Sequence, residues 1–198
     1  MKRLLVVAFV LNAIPARAQR YELAPFTIAA VTTPAPLNES TPGLPALQVS
    51  GGFTYGAQAA YLLSPHMSIE ALWTRQKTSI TIGTPSTITT LHSVDLTQLV
   101  GNFAYEFRSS SHHVQPFVFA GAGASSLSSS DVNSQAKFTW DLGAGLKWFP
   151  VRHLGARFDG RYQSIQLGTS TDDYCSPFPS CQSAVRPVQF SSAFVLRF

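Results

Sequence analysis

From Phe138 to Trp148 the chain reads FTWDLGAGLKW, and every second residue is apolar: Phe138, Trp140, Leu142, Ala144, Leu146 and Trp148. Thr139, Asp141, Gly143, Gly145 and Lys147 fall between them. Successive side chains of a strand point to opposite faces, so this segment builds a strand with one aromatic and aliphatic face and one polar, glycine-rich face. Period-two alternation sustained over more than ten residues excludes a helix there. It also exceeds the usual strand of a soluble protein, about five or six residues.

The same pattern recurs along the chain. Eight strands are expected, over 20–32, 51–63, 67–80, 92–107, 115–126, 136–149, 154–167 and 187–198. Their connectors alternate in character. SPH, RSSSHHV and PVRH are the shorter ones. TPAPLNESTPGLPALQVS, TIGTPSTITTL, SLSSSDVNSQ and GTSTDDYCSPFPSCQSAVR are longer and polar. Short turns at one end, longer loops at the other and an even strand number are the layout of an outer-membrane barrel. Pro25 removes a ladder donor from the first strand, so a local distortion is expected there. The fifth strand, PFVFAGAGAS, is small and apolar on both faces and cannot be oriented from sequence.

Composition decides which face is inside. Only 12% of residues are charged, against about 25% in an average soluble domain. A soluble barrel would need its polar face to be a solvated surface, yet that face is largely small. Aromatic residues instead gather near the strand ends: Tyr61, Phe107, Trp148, Phe149 and Phe198 lie toward the short turns, as a membrane-interface girdle does. The apolar face is therefore expected to meet lipid. The opposite face, with Glu70, Glu106, Asp141, Lys147, Arg157, Asp159, Arg161 and Arg197, is expected to line the lumen as a paired charge network. The fold class that follows is all-β, an eight-stranded antiparallel up-and-down transmembrane β-barrel.

The opening MKRLLVVAFVLNAIPARAQ reads as a secretory signal with a charged start, a short apolar core and a small-x-small site, cut before Gln19. Residues 1–18 are thus assigned to the signal and 19–198 to the barrel. Lys2, Arg3 and Arg17 leave with it, so the 14 basic residues fall to 11 against 10 acids. The near-neutral remainder, without a basic patch interleaved with aromatics, gives no reason to expect nucleic acid as a partner. Cys175 and Cys181, in an exported chain, are expected to form a local disulfide in the last long loop.

VQPFVFAGAGAS, FTWDLGAGLKWFPVRHLGARFDGRY and the closing FSSAFVLRF resemble the small OmpA-type, porin-like outer-membrane β-barrel domain of Gram-negative bacteria. The resemblance spans the mature chain. It implies an eight-stranded barrel set in outer-membrane lipid, and a C-terminal signal, Phe194, Leu196 and Phe198, read by the barrel-assembly machinery. The glycine usual near the start of that signal is replaced here by Gln189, Ser191 and Ser192.

No P-loop, dinucleotide fingerprint or clustered metal-ligand motif occurs, so neither cofactor nor metal is expected. His66, His112, His113 and His153 fall in short-turn connectors and carry no ligand spacing. Ser164 lies in GRYQSIQLG, but Gln163 and Gln166 stand where a hydrolase would need an imidazole base, so no enzyme is expected. An eight-stranded interior is just wide enough for side chains, which excludes a wide pore. The expected function is structural, with surface contacts made through the outer loops. A narrow solute channel or apolar-molecule transporter of the same fold, and a soluble lipocalin-like binder, are the alternatives.

Overall fold

The computed structural model describes residues 20–33, 35–36, 46–50, 52–84, 87–107, 113–129, 132–166 and 184–198. Eight long strands run through it: β1 (Tyr21–Thr32), β2 (Phe53–Ser64), β3 (Met67–Thr84), β4 (Thr87–Glu106), β5 (Val114–Ser129), β6 (Val132–Val151), β7 (Leu154–Gln166) and β8 (Val188–Arg197). Each pairs antiparallel with its sequence neighbours. β1 also pairs with β8, from Glu22 opposite Arg197 to Thr32 opposite Gln189, which closes the sheet into a barrel. Closure leaves no open seam among these eight strands, a requirement for strands in a hydrocarbon solvent.

The alternation read from sequence maps onto the two faces. Phe53, Tyr55, Leu63, Leu99, Phe103, Tyr105, Phe190 and Phe194 are exposed on the outer wall, and Thr54, Gln58, Gln98 and Asn102 are buried inside. Outward aromatics form a belt at each end. Tyr21 with Tyr61 and Tyr105 with Phe107 lie at the short-turn end, with centroid separations of 5.2 and 5.1 Å. Tyr55 with Trp73 and Trp140 with Tyr162 lie toward the other end, at 6.2 and 5.8 Å. Along β6 the belts are ten residues apart, Phe138 to Trp148. At ~3.3 Å per residue and a tilt of about 40° that is roughly 25 Å, the height of the apolar band of such barrels.

Two expectations need correction. The stretches TIGTPSTITTL and SLSSSDVNSQ are not long loops: β3 and β4 continue until Thr84 pairs with Thr87, and β5 and β6 until Ser129 pairs with Val132. These segments are rich in Thr, Ser and Gly without a sustained alternation, which resembles a loop, but their Thr, Ile, Val and Ser have the β-branched or compact side chains a strand accepts. Ala46–Val49, from the first long connector, adds a further strand beside this extension of β3. The second correction concerns Phe149, which does not join the girdle. It is buried on the inward face, because it follows Trp148 by one residue. The register of β1 is irregular between Leu23 and Ala29 against β8, and between Phe26 and Ala30 against β2, immediately after Pro25.

Candidate functional site

Inward side chains of all eight strands fill the lumen. In its half nearer the short turns they form one continuous charge network. Arg157 (β7) donates from Nη1 and Nη2 to Glu70 (β3) at 2.8 and 3.2 Å and from Nε to Asp159 at 2.8 Å. Arg161 spans Asp159 at 3.2 Å and Asp141 (β6) at 3.0 Å. Lys147 reaches Glu22 at 2.7 Å, Glu106 at 2.5 Å and Glu70 at 3.9 Å. Arg197 (β8) donates from Nε to Glu22 at 2.7 Å and from Nη2 to Glu22 and to Gln115, the latter at 3.0 Å. Glu70, Lys147 and Arg157 are at most 1% exposed. Such charges tolerate burial because each is paired and hydrogen-bonded; removing one partner leaves the other charged and dry.

All eight charged residues expected in the lumen from the alternation project into it and meet one another. Sequence reading missed Glu22, since the mixed pattern of β1 hid its inward position, which it shares with Ala24. It also missed three aromatics. Phe117 and Phe119 of β5 point inward, while Val118 between them is exposed. The Arg157 guanidinium lies 4.2 Å from the centroid of Phe117 and that of Arg161 4.9 Å from Phe119; Arg197 covers Phe149 at 3.9 Å. Each cation thus rests on a ring face, which attracts it through the ring quadrupole.

These rings explain the glycines on the polar face of β6. A Cβ on Gly143 would come within 2.4 Å of Phe119 Cζ, and one on Gly145 within 2.6 Å of Phe117 Cζ. The missing side chains are the space the rings occupy.

Above the charges lies a neutral hydrogen-bonded layer. Thr74 donates to Gln98 at 3.1 Å, Gln98 donates to Ser125 at 3.1 Å, and Gln163 donates to Gln98 at 3.3 Å. Gln76 accepts from Thr32 and Thr54. Nearer the outer mouth apolar side chains, Val94, Leu96, Ile165 and Val185, are buried alongside Thr78 and Thr81.

His112 lies outside the described residues. The rings of His66 and His153 meet the carbonyl oxygens of Glu106 and Arg197 at 3.1 and 3.2 Å, tying turns to strand ends. The Ser164 hydroxyl accepts from Gln166 at 3.1 Å. Phe194 and Leu196 face outward; Phe198 is half-buried, its backbone paired with Tyr21. Cys175 and Cys181 lie outside the described residues.

A closed antiparallel barrel, apolar outside between two aromatic belts and packed with paired charges inside, is a membrane barrel of the outer-membrane class. The chain belongs to the outer membrane protein beta-barrel domain family, whose model matches residues 4–198. Among solved structures it is similar to Neisserial surface protein A (16% identity, TM-score 0.62, covering 91% of this chain and 98% of that one). It is also similar to OprG from Pseudomonas aeruginosa (11% identity, TM-score 0.63, 92% and 97%). Outer membrane protein W of E. coli is a third (17% identity, TM-score 0.54, 93% and 100%). At these identities the likeness is one of fold. No curated protein sequence matches the chain.

Proposed function

We propose that this protein is a non-enzymatic barrel of the bacterial outer membrane whose lumen is a sealed structural core and whose outer loops make its surface contacts. The observation that supports this reading is the filling of the lumen. Arg157, Lys147, Glu70 and Asp141 are buried to within 1% of full burial, each charge meeting its partners across the bore. A solute would have to break several buried ion pairs to pass. Outer-membrane lipid then contacts the apolar wall, and the barrel-assembly machinery reads Phe194, Leu196 and Phe198. The loop closed by a Cys175–Cys181 disulfide, with Tyr174 and Phe178 beside it, is the candidate contact for a surface partner. Export is by a signal cleaved before Gln19, which N-terminal sequencing of the membrane-assembled protein reads directly.

Planar-bilayer recording tests the sealed lumen. Residues 19–198, refolded into detergent and inserted into a bilayer, are expected to give no sustained stepwise conductance. Arg161→Ala is expected to weaken the fold and still open no large channel. A folded wild type with regular conductance steps would favour the narrow-channel reading and overturn this one.

A further inference from the structure

Among the described residues, the buried charges of the lumen do not balance. Glu22, Glu70, Glu106, Asp141 and Asp159 carry five negative charges, and Lys147, Arg157, Arg161 and Arg197 carry four positive ones. The next inward cation, Lys137, lies four residues from Asp141 along β6 toward the outer mouth, about 13 Å away in an extended strand, and has contacts of its own.

The surplus can be located. Glu22 is met on one oxygen by Arg197 and on the other by Lys147. Both oxygens of Glu70 accept from Arg157. Asp159 binds Arg157 through one oxygen and Arg161 and Ser191 through the other. Glu106 accepts from Lys147 through Oε1. Asp141 differs: its Oδ2 accepts from Arg161, and its Oδ1 is the one carboxylate oxygen among the described residues that is fully buried without a hydrogen-bond partner.

A second unpartnered group faces the same place. Asn102 is 3% exposed, and neither its Oδ1 nor its Nδ2 has a partner. Gly121 pairs with Asn102 on one side and with Asp141 on the other. A Cβ on Gly121 would lie 1.8 Å from Asn102 Oδ1, so the amide leans across the bare glycine toward the strand of Asp141. Of the charged groups around the recess, Arg161 and Asp159 come from β7, Glu70 from β3 and Lys147 from β6; all are committed to the pairs already described. β4 also carries Glu106 and β1 Glu22, both held by Lys147, and β8 carries Arg197, held by Glu22. Burial of a half-paired carboxylate oxygen beside an unsatisfied amide is costly unless something fills the gap.

We infer that the recess over Gly121 binds one further positive charge, held between Asp141 Oδ1 and Asn102 Oδ1. The ligand class is a small monovalent cation. Two sources share that chemistry: a sodium ion, a hard cation suited to oxygen ligands, or a proton carried on Asp141 Oδ1 and donated to Asn102 Oδ1. Either cancels the surplus and satisfies both oxygens.

The experiment compares the refolded full barrel in detergent in sodium chloride and in choline chloride at equal ionic strength. It reads the midpoint of the heat-dependent gel shift and the infrared carbonyl band of a protonated carboxylic acid. Wild type is set beside Asp141→Asn, which removes the surplus charge, and Asn102→Leu, which keeps every charge and removes the second oxygen. A sodium-dependent rise of about 5 °C in the wild type, absent from both variants, assigns the charge to a metal ion. Insensitivity to sodium, with an acid band that Asp141→Asn abolishes and Asn102→Leu shifts, assigns it to a proton. If Asp141→Asn fails to fold, Asn102→Leu alone carries either test. Neither a sodium response nor an acid band means that the recess holds water only, and overturns the inference.

Discussion

Arg157→Ala is the sharpest probe of the lumen. The side chain makes three hydrogen bonds, two to Glu70 and one to Asp159, and its guanidinium lies 4.2 Å from the Phe117 ring centroid. Breaking a buried ion pair from one side costs about 3–5 kcal/mol. Losing the desolvated cation–π contact adds about 1–2 kcal/mol. Lys147, 3.9 Å from Glu70, and Arg161, 3.2 Å from Asp159, stay in place and limit the damage. The expected loss is therefore about 5 kcal/mol. Urea titration of the barrel refolded into lipid vesicles measures it, with the folded fraction read from heat-modifiable mobility. Adding Glu70→Gln removes one of the two stranded charges and is expected to recover about 2 kcal/mol of that loss, a coupling expected of residues in one network. A single variant within about 1 kcal/mol of wild type, or a double variant weaker than the single one, would refute the claim that these pairs hold the core.

Gly143→Ala is expected to cost about 1–3 kcal/mol by overpacking, because its Cβ would sit 2.4 Å from both Gly160 O and Phe119 Cζ. Gly101→Ala, whose Cβ meets nothing closer than 3.9 Å, is the control and is expected to be neutral by the same urea titration. Leu142→Arg places a cation on the outer wall midway between the belts and is expected to cost about 2–4 kcal/mol, read as a lower urea midpoint in vesicles. Phe198→Ser is expected to reduce the amount of barrel assembled in cells while refolding in detergent remains efficient, which quantitative gels of membrane fractions against refolding yields separate.

The outward and inward faces were legible in the sequence wherever one face was large and apolar and the other polar. That is why Glu70, Glu106, Asp141, Lys147, Arg157, Asp159, Arg161 and Arg197 could be placed in the lumen from parity alone. β5 defeated the same reading: Phe117 and Phe119 face inward against Val118 outward, so hydrophobicity carries no sign there. Their orientation depends on Gly143 and Gly145 of the neighbouring strand and on the arginines that cover them, contacts that no single-strand pattern contains. The outer hairpins were hidden for a related reason. Toward this end of β3 and β4 the sequence loses its regular apolar-polar alternation, so the amphipathic signal vanishes while backbone pairing continues to Thr84 and Thr87.

The contact between Glu22 and Arg197 joins residues 175 positions apart, on the first and the last strand. During synthesis Glu22 emerges long before its partner. Until β8 docks, the carboxylate has Lys147 at most, and the seam between β1 and β8 stands open with its ladder unmade. A chain cut short by even two residues would lack Arg197 as well as Phe198. Losing β8 therefore removes the partner strand of β1 and the second cation on Glu22 together, so a barrel without it can neither close its sheet nor complete its charge network.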